Sequence, residues 1–107
     1  MTYLNTFKVS NFYNKNQFLL EGPAETIFQS YDSTIAIIKK GCLTLGLNWD
    51  YSHTTLKHLY LFLNDFKGYL NADLYEEVYK ALNATNKKQA LEKLIKKGVI
   101  KYDKGIR

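Results

Sequence analysis

The 107-residue sequence predicts an α+β fold: an antiparallel β-meander of four to five strands, then three helices packed on it, and a short C-terminal strand. Apolar residues alternate with a period near two as far as Leu47, and from Trp49 onward the period changes to about 3.6. Turn-forming residues at Gly22-Pro23 and at Lys39 to Gly41 separate the short apolar runs of the first half. The composition, 46% hydrophobic and 23% charged, is typical of one globular domain spanning residues 1–107.

The first half of the chain contains five candidate strands. They are predicted at Leu4 to Ser10, Gln17 to Glu21, Thr26 to Tyr31, Thr34 to Ile38 and Cys42 to Leu47. Because Gly41 readily takes a positive φ, Lys39 to Gly41 predicts a tight hairpin. The last two strands should therefore pair antiparallel.

The first predicted helix runs from His53 to about Phe66. Ser52 is a good N-cap, since its hydroxyl can accept a hydrogen bond from the amide of Thr54 or Thr55. The residues expected to form its buried stripe are Leu56, Leu59, Tyr60, Leu63 and Phe66. Leu61 and Phe62 fall outside that stripe, so the helix is apolar over more than one face and another element must cover it.

Two shorter helices should follow. The second begins near Asn71 or Asp73, and the third runs from about Asn86 to Lys97. Gly98 is the residue expected to end the third helix in a Schellman motif. Val99 to Tyr102 is then extended, which is typical of an edge strand.

The positive charge is concentrated at the C-terminus. Lys87 to Arg107 holds eight basic residues against Glu92 and Asp103, a net charge of +6, whereas the whole chain carries +5 and the first 86 residues therefore −1. The last two helices and the final strand have the outline of a helix-turn-helix with a short wing. The ammonium group of lysine is well suited to contact phosphates, whereas sequence-specific contacts to base edges favour arginine. Any nucleic acid should therefore be bound with weak sequence preference. The candidate nucleic-acid-binding residues are Lys87, Lys88, Lys93, Lys96, Lys97 and Lys101.

No set of residues predicts catalysis, a metal or a cofactor. His53 and His58 are five residues apart, so they do not share a helix face as zinc-binding histidines do. Cys42 lies in an apolar run and is expected to be a small buried hydrophobe, not a nucleophile. We therefore expect a protein that is not an enzyme, with no catalytic residues, no metal and no cofactor.

Aromatic residues make up 15% of the chain, and nine of them are tyrosines. Tyrosine is enriched at protein interfaces because it combines apolar area with a polar tip. Each one could instead fill the margin of a small core. As a set they favour a protein partner or a homodimer, and the candidate partner-binding residues are Leu61, Tyr69, Tyr75 and Tyr79.

The segments Phe28 to Ser33, Trp49 to His58 and Phe62-Leu63 resemble a family of small uncharacterised proteins from phages and mobile elements of AT-rich bacteria. The resemblance covers most of Phe7 to Leu63, while Lys67 to Leu82 departs from the short members. It implies a non-catalytic binding protein. The sequence has no signal-peptide pattern at Met1 to Leu4 and no apolar run near the ~20 residues of a membrane span, so we expect a cytoplasmic protein that is not at a membrane. Such a protein is expected to inhibit a host defence nuclease, such as a CRISPR effector, by protein–protein contact. The alternative is a small DNA- or RNA-binding accessory protein that uses the basic C-terminus.

Overall fold

The computed structural model describes residues 7–107 and has the predicted α+β architecture. Six strands form one sheet in the order β1-β2-β3-β4-β5-β6. The strands are β1 (Lys8–Phe12), β2 (Asn14–Glu21), β3 (Glu25–Ser30), β4 (Ser33–Lys39), β5 (Cys42–Gly46) and β6 (Lys101–Asp103). The helices are α1 (His53–Phe66), α2 (Ala72–Leu82) and α3 (Lys87–Lys96), with a 3-10 turn at Lys67–Tyr69. Part of the strand predicted at Leu4 to Ser10 lies outside the described residues; the described part begins β1 at Lys8.

The meander forms because tight turns join its strands. Lys39 pairs with Cys42, so the β4–β5 hairpin has only Lys40 and Gly41 in its loop. Their φ angles are 52° and 75°. Positive φ values at both loop residues are those of a type I′ turn, whose twist suits a two-residue hairpin. The predicted hairpin is therefore confirmed.

Aromatic rings join the sheet to α1. Phe28 of β3 is fully buried, and its ring stacks on Phe62 of α1 with 5.5 Å between centroids. Phe12 of β1 meets both rings edge-on, at 5.8 Å and 6.2 Å. The helices thus bury one face of the sheet, as burial of apolar area requires.

The helix ends follow the predicted rules. Ser52 accepts a hydrogen bond from the amide of Thr55 at 3.2 Å, which confirms it as the N-cap of α1. The N-cap of α2 is Asn71, which accepts from the amide of Leu74 at 3.0 Å. After α3, the amides of Gly98 and Val99 donate to the carbonyls of Ile95 and Leu94 at 3.0 Å and 2.9 Å, which confirms the Schellman motif.

The last strand, β6, is an edge strand of the main sheet and does not form a wing. β6 pairs with β5 in parallel, with Leu45 opposite Tyr102. A parallel pair needs a long crossover connection, and α1 to α3 provide it. The expected edge strand is therefore confirmed, but the C-terminal segment is part of the main sheet and not the wing of a separate helix-turn-helix.

Candidate partner-binding site

An open groove lies among α1, the last turn of α2 and the start of α3. Its volume is about 860 Å³. Four half-buried apolar side chains form its floor, namely Leu56, Tyr60, Leu61 and Leu82. Along α1 the groove extends from His53 to Asn64, a length of about 16 Å at 1.5 Å per residue.

The floor is left open because of how α1 is rotated on the sheet. The sequence predicts that Leu56, Tyr60 and Phe66 lie in the buried stripe, but all three are only half-buried. The buried residues of α1 are Thr55, His58, Leu59, Phe62 and Leu63. This part of the predicted stripe is therefore wrong: the buried face of α1 lies about one residue earlier in the sequence than predicted. The cause is Phe62, whose ring packs in the aromatic cluster against Phe28 of the sheet. The second apolar side of α1 then faces the other helices.

The rim of the groove is cationic. Lys57, Lys87 and Lys88 line it together with His53, and none of its lining residues is an Asp or Glu. Among the described residues, the rim has one ion pair, between Asp50 and Lys88, with 3.7 Å between Oδ2 and Nζ. Both side chains are partly exposed, so this ion pair is weak and leaves Lys57 and Lys87 uncompensated. The α3 N-terminus adds the positive end of a helix dipole.

Tyr60 and Lys87 bring the floor and the rim together. The Nζ of Lys87 lies 6.0 Å from the centroid of the Tyr60 ring, at the outer limit of a cation–π contact. Burial raises the pKa of Tyr60, so its phenol stays neutral at physiological pH. A partner therefore meets an apolar ring directly beside a positive charge.

The predicted partner-binding residues do not form one cluster. Leu61 is in the groove floor. On α2 the rings of Tyr75 and Tyr79 stack against each other with 6.4 Å between centroids. The Nζ of Lys67 lies 6.0 Å from the centroid of the Tyr75 ring. The Lys67 ammonium also donates to Asn64 at the groove's end, so Lys67 links Tyr75 to the groove, although neither tyrosine is among the lining residues.

Tyr69 lies elsewhere. Its ring packs 5.7 Å from that of Phe66, and it lines a separate concavity with Ile38, Lys40 and Gly41. The 3-10 turn that carries it leads the chain toward the hairpins: the amide of Asn71 donates to the carbonyl of Gly41 at 3.0 Å. A partner seated in the groove would therefore not need Tyr69.

The candidate nucleic-acid residues are also divided. Lys87 and Lys88 line the groove, whereas Lys93, Lys96 and Lys97 are not among its lining residues and Lys101 lies on β6. Sequence reasoning missed Lys57, Tyr60 and Leu82 as site residues. The available clue was the second apolar side of α1, which places Lys57 next to Leu56 and Leu61.

The two histidines and the cysteine differ in burial and in their partners. His58 is buried and its Nδ1 lies 2.8 Å from the carbonyl oxygen of Thr54, which fits an Nδ1–H donor within the helix. His53 is exposed at the groove, and Cys42 is half-buried on β5. Across residues 7–107 no group of three or more His, Cys, Asp or Glu side chains could hold a metal ion.

None of the helices within the described residues is long and apolar enough to cross a membrane.

Comparison with known protein families gives a match over most of the chain. The model of a family of unknown function (DUF8033) matches residues 3–81, which includes β1 to β5, α1 and nearly all of α2. The match runs through most of the Lys67 to Leu82 segment, whereas Lys87 and Lys88 lie beyond it. No curated protein and no solved structure matches the chain. Because the match covers well over half of the sequence, the chain belongs to this family of unknown function, DUF8033.

Proposed function

We propose that this protein is a non-catalytic binding protein that holds a partner protein in the groove among α1, α2 and α3. The observation that carries the proposal is the combination of an apolar floor and a cationic rim in one open groove. Buried apolar anchors supply most of the affinity of a protein interface, and rim charges set its specificity and association rate. The floor and the rim therefore have complementary roles.

The resemblance to small phage and mobile-element proteins supports a narrower proposal about the partner. A small protein without catalytic groups acts on a host by occupying a surface that the host protein needs. We propose that the partner is a defence nuclease of the bacterial host, such as a CRISPR effector, met in the cytoplasm. The support for a nuclease as the partner is the likeness to this class of proteins, and the support for binding is the groove.

The direct test is capture of a bacterial protein that depends on the groove. Wild-type protein and the variants Leu61→Ala and Lys57→Glu are immobilised and exposed to the same lysate, and bound proteins are compared by mass spectrometry. We expect a protein that the wild type retains and that both variants lose. Val9→Ala is the matched control for the loss of an apolar surface contact, because Val9 is 62% exposed on β1, an edge strand away from the groove.

Binding that survives both groove variants would refute the proposed site. The captured protein is then purified and assayed for DNA or RNA cleavage with and without this protein. Inhibition at equimolar concentration would support the nuclease proposal. A captured protein with no nuclease activity would refute that proposal and leave the groove as the binding site.

A second candidate function is nucleic-acid binding by the C-terminal end of α3 and its C-cap residue, Lys97. Lys93, Lys96 and Lys97 are exposed, and none has a carboxylate partner within the described part of the chain. If they bind phosphates, the affinity should be weakly dependent on sequence and should fall steeply with salt. Changing all three to Glu should abolish it. Failure of the wild type to bind duplex or single-stranded DNA or RNA at about 50 mM salt, where screening is weak, would remove this candidate.

A further inference from the structure

We propose that the occupant of the groove is an acidic, amphipathic α-helical segment of the partner protein. This inference rests on the proposed function and names the chemistry of the partner. Three properties of the groove support it: the charge of its rim, the nature of its walls and its length.

The charge of the rim favours an acidic segment. Three lysines and a histidine line the groove, and the lining residues include no carboxylate. The α3 N-terminus adds positive potential from the helix dipole. An acidic partner gains attraction from the three lysines and the helix dipole, whereas a basic partner meets like charges, which are strongly unfavourable across an interface.

The walls of the groove favour a helix over an extended strand. A strand gains affinity by adding to an exposed sheet edge, where its backbone finds unpaired amides and carbonyls. The groove walls are α1, α2 and α3, whose interior backbone groups are already bonded within each helix. A helix needs no backbone partners, because it docks with apolar side chains at positions i, i+4 and i+7. Leu56 and Tyr60, which are four residues apart on α1, present a matching ridge.

The length of the groove sets the size of the segment. A groove of about 16 Å accommodates about three turns of helix. The apolar floor also distinguishes this ligand from single-stranded nucleic acid, which needs aromatic platforms for successive bases. The floor has one aromatic ring, Tyr60, and three leucines.

The test uses synthetic peptides with the full-length protein. The probe is an end-capped peptide of about 15 residues with leucines on one helical face and glutamates elsewhere. The first control has the same composition in an order that destroys the apolar face. In the second, each glutamate is replaced by lysine, and the third is an oligothymidylate of similar length. Affinity is measured by fluorescence anisotropy at low and high salt.

We expect the acidic amphipathic peptide to bind about tenfold or more tightly than either peptide control, with an affinity that falls as salt rises. The double variant Lys57→Glu/Lys87→Glu should weaken binding by about tenfold or more. Its matched control is Lys93→Glu/Lys96→Glu, which makes the same charge change on α3 away from the groove and should leave affinity within about twofold. Circular dichroism shows whether each variant is folded, and Leu61→Ala provides an uncharged second test.

Each other outcome overturns the inference. Equal binding of the permuted peptide would mean attraction by charge alone, and equal binding of the lysine peptide would mean apolar contact alone. Tighter binding of the oligothymidylate would identify a nucleic-acid site. If no peptide binds but a captured protein still depends on Leu61 and Lys57, the proposed function stands and the acidic helix is wrong.

Discussion

Each of the three helices begins at a polar side chain that accepts a hydrogen bond from the amide three residues further on. The acceptors are Ser52, Asn71 and Asn86, with donor–acceptor distances of 3.2, 3.0 and 3.0 Å. These contacts depend only on residues that are close in sequence, so the sequence alone identifies Ser52 as an N-cap. In α2 two acceptors compete, and the structure selects Asn71, which places Asp73 in the first turn near the positive helix end.

Removing the hydroxyl of Ser52 should destabilise the protein without changing partner binding. For Ser52→Ala we expect a loss of about 1 kcal/mol in the free energy of unfolding, as for other N-caps, measured by chemical denaturation. Thr54→Ala is the control, because the Thr54 side chain is exposed, and should stay within about 0.5 kcal/mol. Unchanged stability together with lost binding would make Ser52 a contact residue and not a cap.

Gln17 is the least satisfied buried side chain of the sheet. It is 0% exposed, and neither its amide nitrogen nor its amide oxygen has a hydrogen-bond partner within the described residues. Ser30, directly opposite on β3, also has a buried hydroxyl without a partner. Because unpaired buried polar groups are costly, Gln17→Met should raise the free energy of unfolding by about 1 kcal/mol. A clear loss of stability in denaturation would show that the amide is bonded in solution.

At the scale of the element, the existence and ends of α1 are predictable from the sequence, but its rotation about its axis is not. The 3.6-residue period and the Ser52 cap depend only on local chemistry. Two apolar sides compete for the sheet, however, and only the position of Phe12 and Phe28 decides between them. The groove is a consequence of that choice, so its floor could not be assigned before the packing partners were known. Lysines on α3 could be recognised as charged, but not as the rim of this groove.

Two leucines of α1 test this rotation with the same chemical change. Leu59 is 0% exposed in the core, whereas Leu61 is half-buried in the groove floor. Leu59→Ala should reduce the free energy of unfolding by about 3 kcal/mol, and Leu61→Ala by about 1 kcal/mol, because less buried area and a smaller cavity are involved. Denaturation curves of both variants measure the difference. Equal losses would mean that Leu61 is core, and its effect on partner capture would then report stability instead of contact.

At the scale of the whole molecule, the C-terminal residues fasten the end of the chain back onto the meander. Beyond β6, the amides of Leu47 and Thr34 donate to the carbonyls of Ile106 and Arg107 at 2.8 Å and 3.1 Å. The strands that precede and follow α1 to α3 in the chain are thereby held together, so both ends of the helical segment are attached to the sheet. The sequence indicates an extended segment here, but its pairing with β5 is a contact between distant residues that local patterns do not encode.

Gly46 is the position where this arrangement can be probed, because backbone approaches it from two sides. A Cβ added there would lie 2.6 Å from the carbonyl oxygen of Thr34 and 2.8 Å from that of Ile106. Gly46→Ala should therefore destabilise the full chain by about 2 kcal/mol or more. In a chain truncated after Asp103 the clash with Ile106 is gone but that with Thr34 persists. The same substitution should then be less damaging, with a coupling of about 1 kcal/mol in a double-mutant cycle of unfolding free energies.

Gly105→Ala is the control, since its Cβ would meet only the Asp103 side chain, which can move. Strictly additive effects of Gly46→Ala and the truncation would show that the C-terminal residues do not pack against β5 in solution.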